Sequence, residues 1–94
     1  MKIFKYAIPV YNKEYSLSLP EGSKVLSCQN QNNQIVIWVM FNPSTSQGLK
    51  THKFKLIFTG EDFQLSLDLA EHRLFIGTVQ INEMVHHLFL DEIV

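Results

Sequence analysis

Apolar residues recur at every second position along most of this chain, the period of a strand with one face toward a core and one toward water. Tyr15, Leu17 and Leu19 alternate with Ser16 and Ser18. Before them, Phe4, Tyr6, Ile8 and Val10 share one face of an opening strand, with Lys5 on the other. Asn12-Lys13 reads as a hairpin tip between these two strands. Pro9 has no N–H to donate, which places the first strand at a sheet edge or interrupts its pairing there. Pro20-Glu21-Gly22-Ser23 has turn chemistry, proline presetting φ and glycine free to take positive φ. A third strand follows from Lys24 to about Gln31. Asn32-Asn33 is a second hairpin signal, because asparagine tolerates the left-handed conformation of tight hairpins.

Ile35 to Phe41 is apolar on both faces, so that strand is expected at the centre of a sheet, its second face covered by a helix, another sheet or another subunit. Asn42 to Gly48 is a polar loop broken by Pro43. Lys50 to Phe58 returns to strand, with Phe54, Leu56 and Phe58 on one face and Lys53, Lys55 and Ile57 on the other. Residues 61–72 fit both a strand, through Phe63, Leu65, Leu67 and Leu69, and a helix, through Leu67, Ala70 and Leu74; they are read as a short strand and then a helical turn. Arg73 to Gln80 and Met84 to Leu90 close the chain as a hairpin around Ile81-Asn82-Glu83. The expectation is a mostly β domain over residues 1–94. It has about seven short, largely antiparallel strands in a small sandwich or partly open barrel, with at most one short helix near residues 67–73.

Composition narrows the function classes. At 46 % apolar and 18 % charged over 94 residues, the chain has material for one real core and folds alone or with copies of itself. A formal charge of −1 and a pI near 6.4 argue against duplex nucleic acid, which calls for a basic face. The one cysteine, Cys28, excludes an internal disulfide and fits a reducing, cytoplasmic setting. No leader peptide is visible, and the longest apolar run, Ile35 to Phe41, is far short of the roughly twenty residues a membrane helix needs. Charge is uneven. Residues 1–58 hold seven lysines against two glutamates, a balance of +5, while residues 59–94 hold one arginine against seven carboxylates, −6. The halves either interleave in the fold or form a dipolar surface for association.

Catalytic and metal chemistry find little support. His86 and His87 are adjacent on a strand and point to opposite faces, so they do not chelate one ion; one faces the core or an interface and the other solvent. His52 and His72 each adjoin a lysine or arginine, an environment that repels cations. Cys28, between Ser27 and Gln29, has no basic neighbour in sequence and reads as a buried, inert thiol. Glu61-Asp62 and Asp91-Glu92 read as solubility residues. No P-loop, dinucleotide turn, HExxH motif or nucleophile elbow occurs, so no cofactor, metal or catalytic residue is assigned. A hydrolytic reading through Cys28 or His87 is the weakest alternative. The stronger candidate is the strand with Lys50, His52, Lys53 and Lys55. Lys53 and Lys55 share a face about 7 Å apart, and Ser44, Thr45, Ser46 and Gln47 in the preceding loop can add neutral donors. The strand is either a solvated face whose lysines deter aggregation or a reader of anionic groups; on the second reading the binding residues are Lys50, Lys53, Lys55, Ser44, Thr45 and Gln47.

The opening Met1-Lys2-Ile3-Phe4-Lys5-Tyr6, with Ile8-Pro9 and Leu19-Pro20-Glu21-Gly22, resembles the start of a family of small uncharacterised phage and prophage proteins. Trp38-Val39, Phe54 to Gly60, Ile76-Gly77-Thr78-Val79-Gln80 and Val85 with His87 and Phe89 continue the likeness over most of the chain. Phe58-Thr59-Gly60-Glu61 stands where that family carries Gly-Thr-Gly-His. The resemblance implies a cytoplasmic accessory protein acting by stoichiometric binding, as an inhibitor of a host defence factor; the lysine pattern, apart from the resemblance, makes Lys53, Lys55 and the Asn42 to Gly48 loop the expected contact face. Two alternatives are an oligomeric sponge for a nucleotide immune signal and a minor virion or assembly component. Aromatics at Phe4, Tyr6, Trp38, Phe41, Phe75 and Phe89 exceed what one small core readily hides, which favours burial against a partner or a second copy.

Overall fold

Turn residues and period-two alternation produce seven strands in the computed structural model: β1 (Lys2–Ile8), β2 (Glu14–Pro20), β3 (Lys24–Gln31), β4 (Gln34–Phe41), β5 (Leu49–Phe58), β6 (Leu74–Ile81) and β7 (Met84–Ile93). The structure describes residues 1–11, 13–45, 48–64 and 74–94, with backbone alone at residue 74. The segment read from sequence as a helical turn, residues 67–73, lies outside them, as do Asn12, Ser46 and Gln47. Among the described residues no helix is long and apolar enough to cross a membrane.

Two asparagine turns decide the local pairings. Asn32 and Asn33 take φ of 53° and 64°, and Asn82 takes 56°, so β3–β4 and β6–β7 close as tight hairpins. The 20–23 turn forms as its residues require: Gly22 has φ 85° and the Ser23 N–H donates to the Pro20 carbonyl at 3.0 Å.

The strands form two antiparallel sheets, ordered β1-β4-β3 and β2-β5-β7-β6, which do not close into a barrel. Two expectations fail: residues 61–64, read as the start of a short strand, form none, and the first hairpin does not form. β1 and β2 are not a hairpin: β1 pairs with β4, from Lys2 opposite Phe41 to Ile8 opposite Ile35, and β2 pairs with β5. Pro9 stops the first ladder at Ile8, and the short connector carries the chain into the other sheet. β1 is therefore an edge strand, as Pro9 requires, and β4 is central in its sheet, as its two apolar faces require.

The core lies between the facing sheets. Ile35, Ile37 and Val39 of β4 and Ile8 of β1 meet Leu19, Phe54, Leu56, Val79, Ile81, Leu88 and Leu90 from the second sheet. Burying each such side chain stabilises the fold by about 1.5–3 kcal/mol. The sheets approach most closely where β3 runs beside β6. There the Asn30 side-chain amide donates to the Gln80 carbonyl at 2.9 Å, and a Cβ at Gly77 would stand 2.8 Å from the Cys28 sulfur. Glycine at 77 lets the two strands pass that close.

Candidate functional site

The β5 lysines take the faces their alternation predicts. Lys53 and Lys55 project from the outer face of the four-stranded sheet, away from buried Phe54 and Leu56. Lys50 lies at a register position opposite core residue Leu19, on the other face from Lys53, so the three do not form one cluster. Neither outer lysine stands alone. Lys53 Nζ lies 3.5 Å from a Glu92 carboxylate oxygen and Lys55 Nζ 3.9 Å from one of Glu14, and Lys55 also donates to the Gln64 carbonyl. Ser44 and Thr45 are exposed in the loop after β4, and Gln47 lies outside the described residues. Glu61 pairs with Lys13 and accepts the Phe58 N–H at 2.9 Å. Lys13–Glu61 and Lys53–Glu92 both join the basic and acidic halves of the sequence, which therefore interleave at these points.

The histidine pair divides as strand geometry demands. His86 turns inward, is almost wholly buried and packs its ring against Phe58 at 4.9 Å between centroids. Its Nδ1 has no hydrogen-bond partner among the described residues. His87 turns outward between two threonines, with Thr59 Oγ1 2.8 Å from Nε2 and Thr78 Oγ1 3.0 Å from Nδ1. Both ring nitrogens are thus engaged, which holds the imidazole in one orientation. His52 is buried, its Nδ1 3.0 Å from the Lys50 carbonyl, to which it donates. Cys28 is partly buried on the core side of β3, and desolvation pushes its thiol up to about 11, a state opposed to nucleophilic use near neutral pH. Among the described residues no group of three or more His, Cys, Asp or Glu could hold a metal ion.

The outer face of the three-stranded sheet has a different character. Its cross-strand rows are Ile3–Met40–Lys24, Lys5–Trp38–Ser27 and Ala7–Val36–Gln29. Trp38 Nε1 donates to Gln29 Oε1 at 2.7 Å, which ties the indole to the neighbouring strand β3. Lys5 Nζ donates to Gln31 Oε1 on the far side of β4, and Val36 of β4 is buried. Ile3 remains 55 % exposed, and Trp38 and Met40 are half-buried. β1, β3 and β4 contain Lys2, Lys5 and Lys24 and no Asp or Glu, and among the described residues none of these lysines makes an ion pair.

The chain matches the model of a domain of unknown function, DUF7352, across residues 1–93. It belongs to that family. No curated protein and no solved structure matches the chain. The sequence reading of this DUF7352 member passed over Ile3, Lys5, Lys24 and Met40 as a group, because they lie on three strands far apart in the chain. One signal was available: the strands that fold into this sheet lack carboxylates altogether.

Proposed function

We propose that this protein is a non-catalytic binding module that captures an acidic protein partner stoichiometrically through the outer face of the β1-β4-β3 sheet. The observation that carries this reading is an apolar centre of Ile3, Trp38 and Met40 flanked by Lys5 and Lys24, in a sheet without a single carboxylate. Tryptophan within an apolar patch and, at its margin, cations without an ion pair among the described residues match the makeup of interface centres and rims. Pairing this face with a second copy of itself would set lysine against lysine. The fitting partner is therefore a different protein whose contact surface carries Asp and Glu around an apolar centre. The likeness of the chain's motifs to small phage proteins favours a bacterial defence factor as that partner and inhibition as the outcome. A lone, partly buried thiol suits a reducing, cytoplasmic setting. The lysine strand and a nucleotide-sequestering oligomer draw less support, because Lys53 and Lys55 already face Glu92 and Glu14.

The test compares charge reversals on the two faces. Tagged protein is used to capture partners from bacterial lysate, and the eluted complex is weighed. The Lys5→Glu/Lys24→Glu variant is expected to lose the captured partner at least tenfold with its circular dichroism unchanged, while Lys53→Glu/Lys55→Glu keeps it. The opposite pattern would move the interface to the second sheet, and undiminished capture by both variants would remove both faces.

A further inference from the structure

The outer face of the four-stranded sheet holds an aromatic recess that the binding face above does not use. Phe63, Phe75 and Phe89 surround it, with ring centroids 5.6 Å apart for Phe63–Phe89 and 5.3 Å for Phe75–Phe89. The rings are tilted by 35° and 57°, so they form walls at angles to one another and not a parallel slot for a flat base. Ile57, His87 and Thr59 complete a cavity of about 240 Å³. That is smaller than the roughly 300–1,000 Å³ of sites for drug-sized ligands and suits one compact group. Phe63 and Phe75 are 47 % and 57 % exposed, an unusual position for phenylalanine unless something covers it.

Charge selects among the groups that fit. Among the described residues the nearby cations are committed, Lys13 to Glu61 and Lys55 to Glu14. His87 has both nitrogens engaged by threonines. Among the described residues a phosphate or carboxylate would therefore meet no free donor cation. Glu61 lines the cavity, and Asp62 follows it, exposed and without an ion pair among the described residues. Phenyl faces carry negative quadrupole charge and attract a cation close to the ring. We infer that this recess binds a methylated ammonium group, held by the faces of Phe63, Phe75 and Phe89, with the carboxylate of Asp62, which lines the adjoining cavity beside Phe63, as counter-charge.

The test is a titration of the isotope-labelled protein followed by NMR. Choline chloride and a peptide bearing trimethyl-lysine are the cationic probes, which separate a free head group from a modified protein as the source. The neutral carbon isostere of choline and adenosine monophosphate are the controls. Saturable shifts at Phe63, Phe75, Phe89 and His87 with either cationic probe are expected, at least tenfold weaker with the neutral isostere. Phe75→Leu should weaken binding at least tenfold, whereas Phe75→Tyr, which keeps the ring, should retain it; the exposure of Phe75 makes both variants compatible with folding. Equal binding of the neutral isostere, tighter binding of the nucleotide, or no shift with any probe would overturn the inference. The recess shares no residue with the face proposed for the protein partner, so either can fail alone.

Discussion

The two sheets contribute to one core yet handle charge in opposite ways. The strands of the four-stranded sheet carry Lys50, Lys53 and Lys55 against Glu14, Asp91 and Glu92, and two of those lysines sit beside carboxylates of neighbouring strands. The three-stranded sheet carries Lys2, Lys5 and Lys24 with no carboxylate at all. Lysine content alone therefore does not identify a binding strand. What matters is whether the fold supplies the counter-charge, and among the described residues it does so for β5 but not for β1 and β3.

Substitutions can separate what the sheets share from what divides them. The largest effect belongs to the common core. Phe54, 1 % exposed, truncated to alanine should cost about 3–5 kcal/mol, and Ile37→Ala on the facing sheet about 2–5 kcal/mol. Urea titrations showing either loss below about 1 kcal/mol would mean that this sheet does not pack on the other as described. Next is the seam between the sheets. Gly77→Val should destabilise by about 1–3 kcal/mol through crowding of the Cys28 sulfur. Adding Cys28→Ala should recover part of that loss, and strict additivity in the double-mutant cycle would deny the contact.

Smaller effects follow. Replacing His86 with leucine removes a buried Nδ1 that lacks a partner among the described residues, so a thermal melt should show stability unchanged or raised by about 1 kcal/mol. Charge reversal bears on the comparison itself. Lys53→Glu faces Glu92 with a like charge and should lower stability by up to about 1 kcal/mol at low salt, an effect that fades as salt rises. Lys24→Glu, with no ion-pair partner among the described residues, should stay within about 0.5 kcal/mol. Equal losses at both positions would erase the distinction between the sheets.

Cys28 adds a dependence on pH. Its thiol ionises near 9.0 in an unfolded chain but only at about 11 in the fold. The unfolded state thus releases the proton first, and stability falls as pH rises through that window. Alkylation at pH 8 should correspondingly be at least tenfold slower for the folded protein than in urea. Equal rates would show an accessible, unperturbed thiol.

Much of this architecture was legible because its signals are local. The Asn32-Asn33 and Asn82 turns, the glycine turn after Pro20 and the alternation along Tyr15 to Leu19 each act over a few residues, and strand boundaries follow from them. Alternation assigns a residue to a face but does not choose the strand across from it. The supposed hairpin between the first two strands failed on that point, since the true partners of β1 and β2 lie beyond later turns. The same gap hid the carboxylates of Glu14 and Glu92 from a reading of the lysine strand. It also hid the meeting of Phe63, Phe75 and Phe89, although the surplus of aromatics was visible in the composition. His86 and His87 were readable because adjacent positions on a strand must diverge.

The pairing of β1 with β4 has a consequence for how the chain assembles during synthesis. Lys2 pairs with Phe41, so β1, once synthesised, waits unpaired until the whole of its mate has followed. The asparagine hairpins, by contrast, can zip as soon as they emerge, local closure being fast and distant closure slow. Through that interval Lys2, Lys5 and Pro9 serve as gatekeepers, keeping an idle, sticky segment from joining its copies on neighbouring chains.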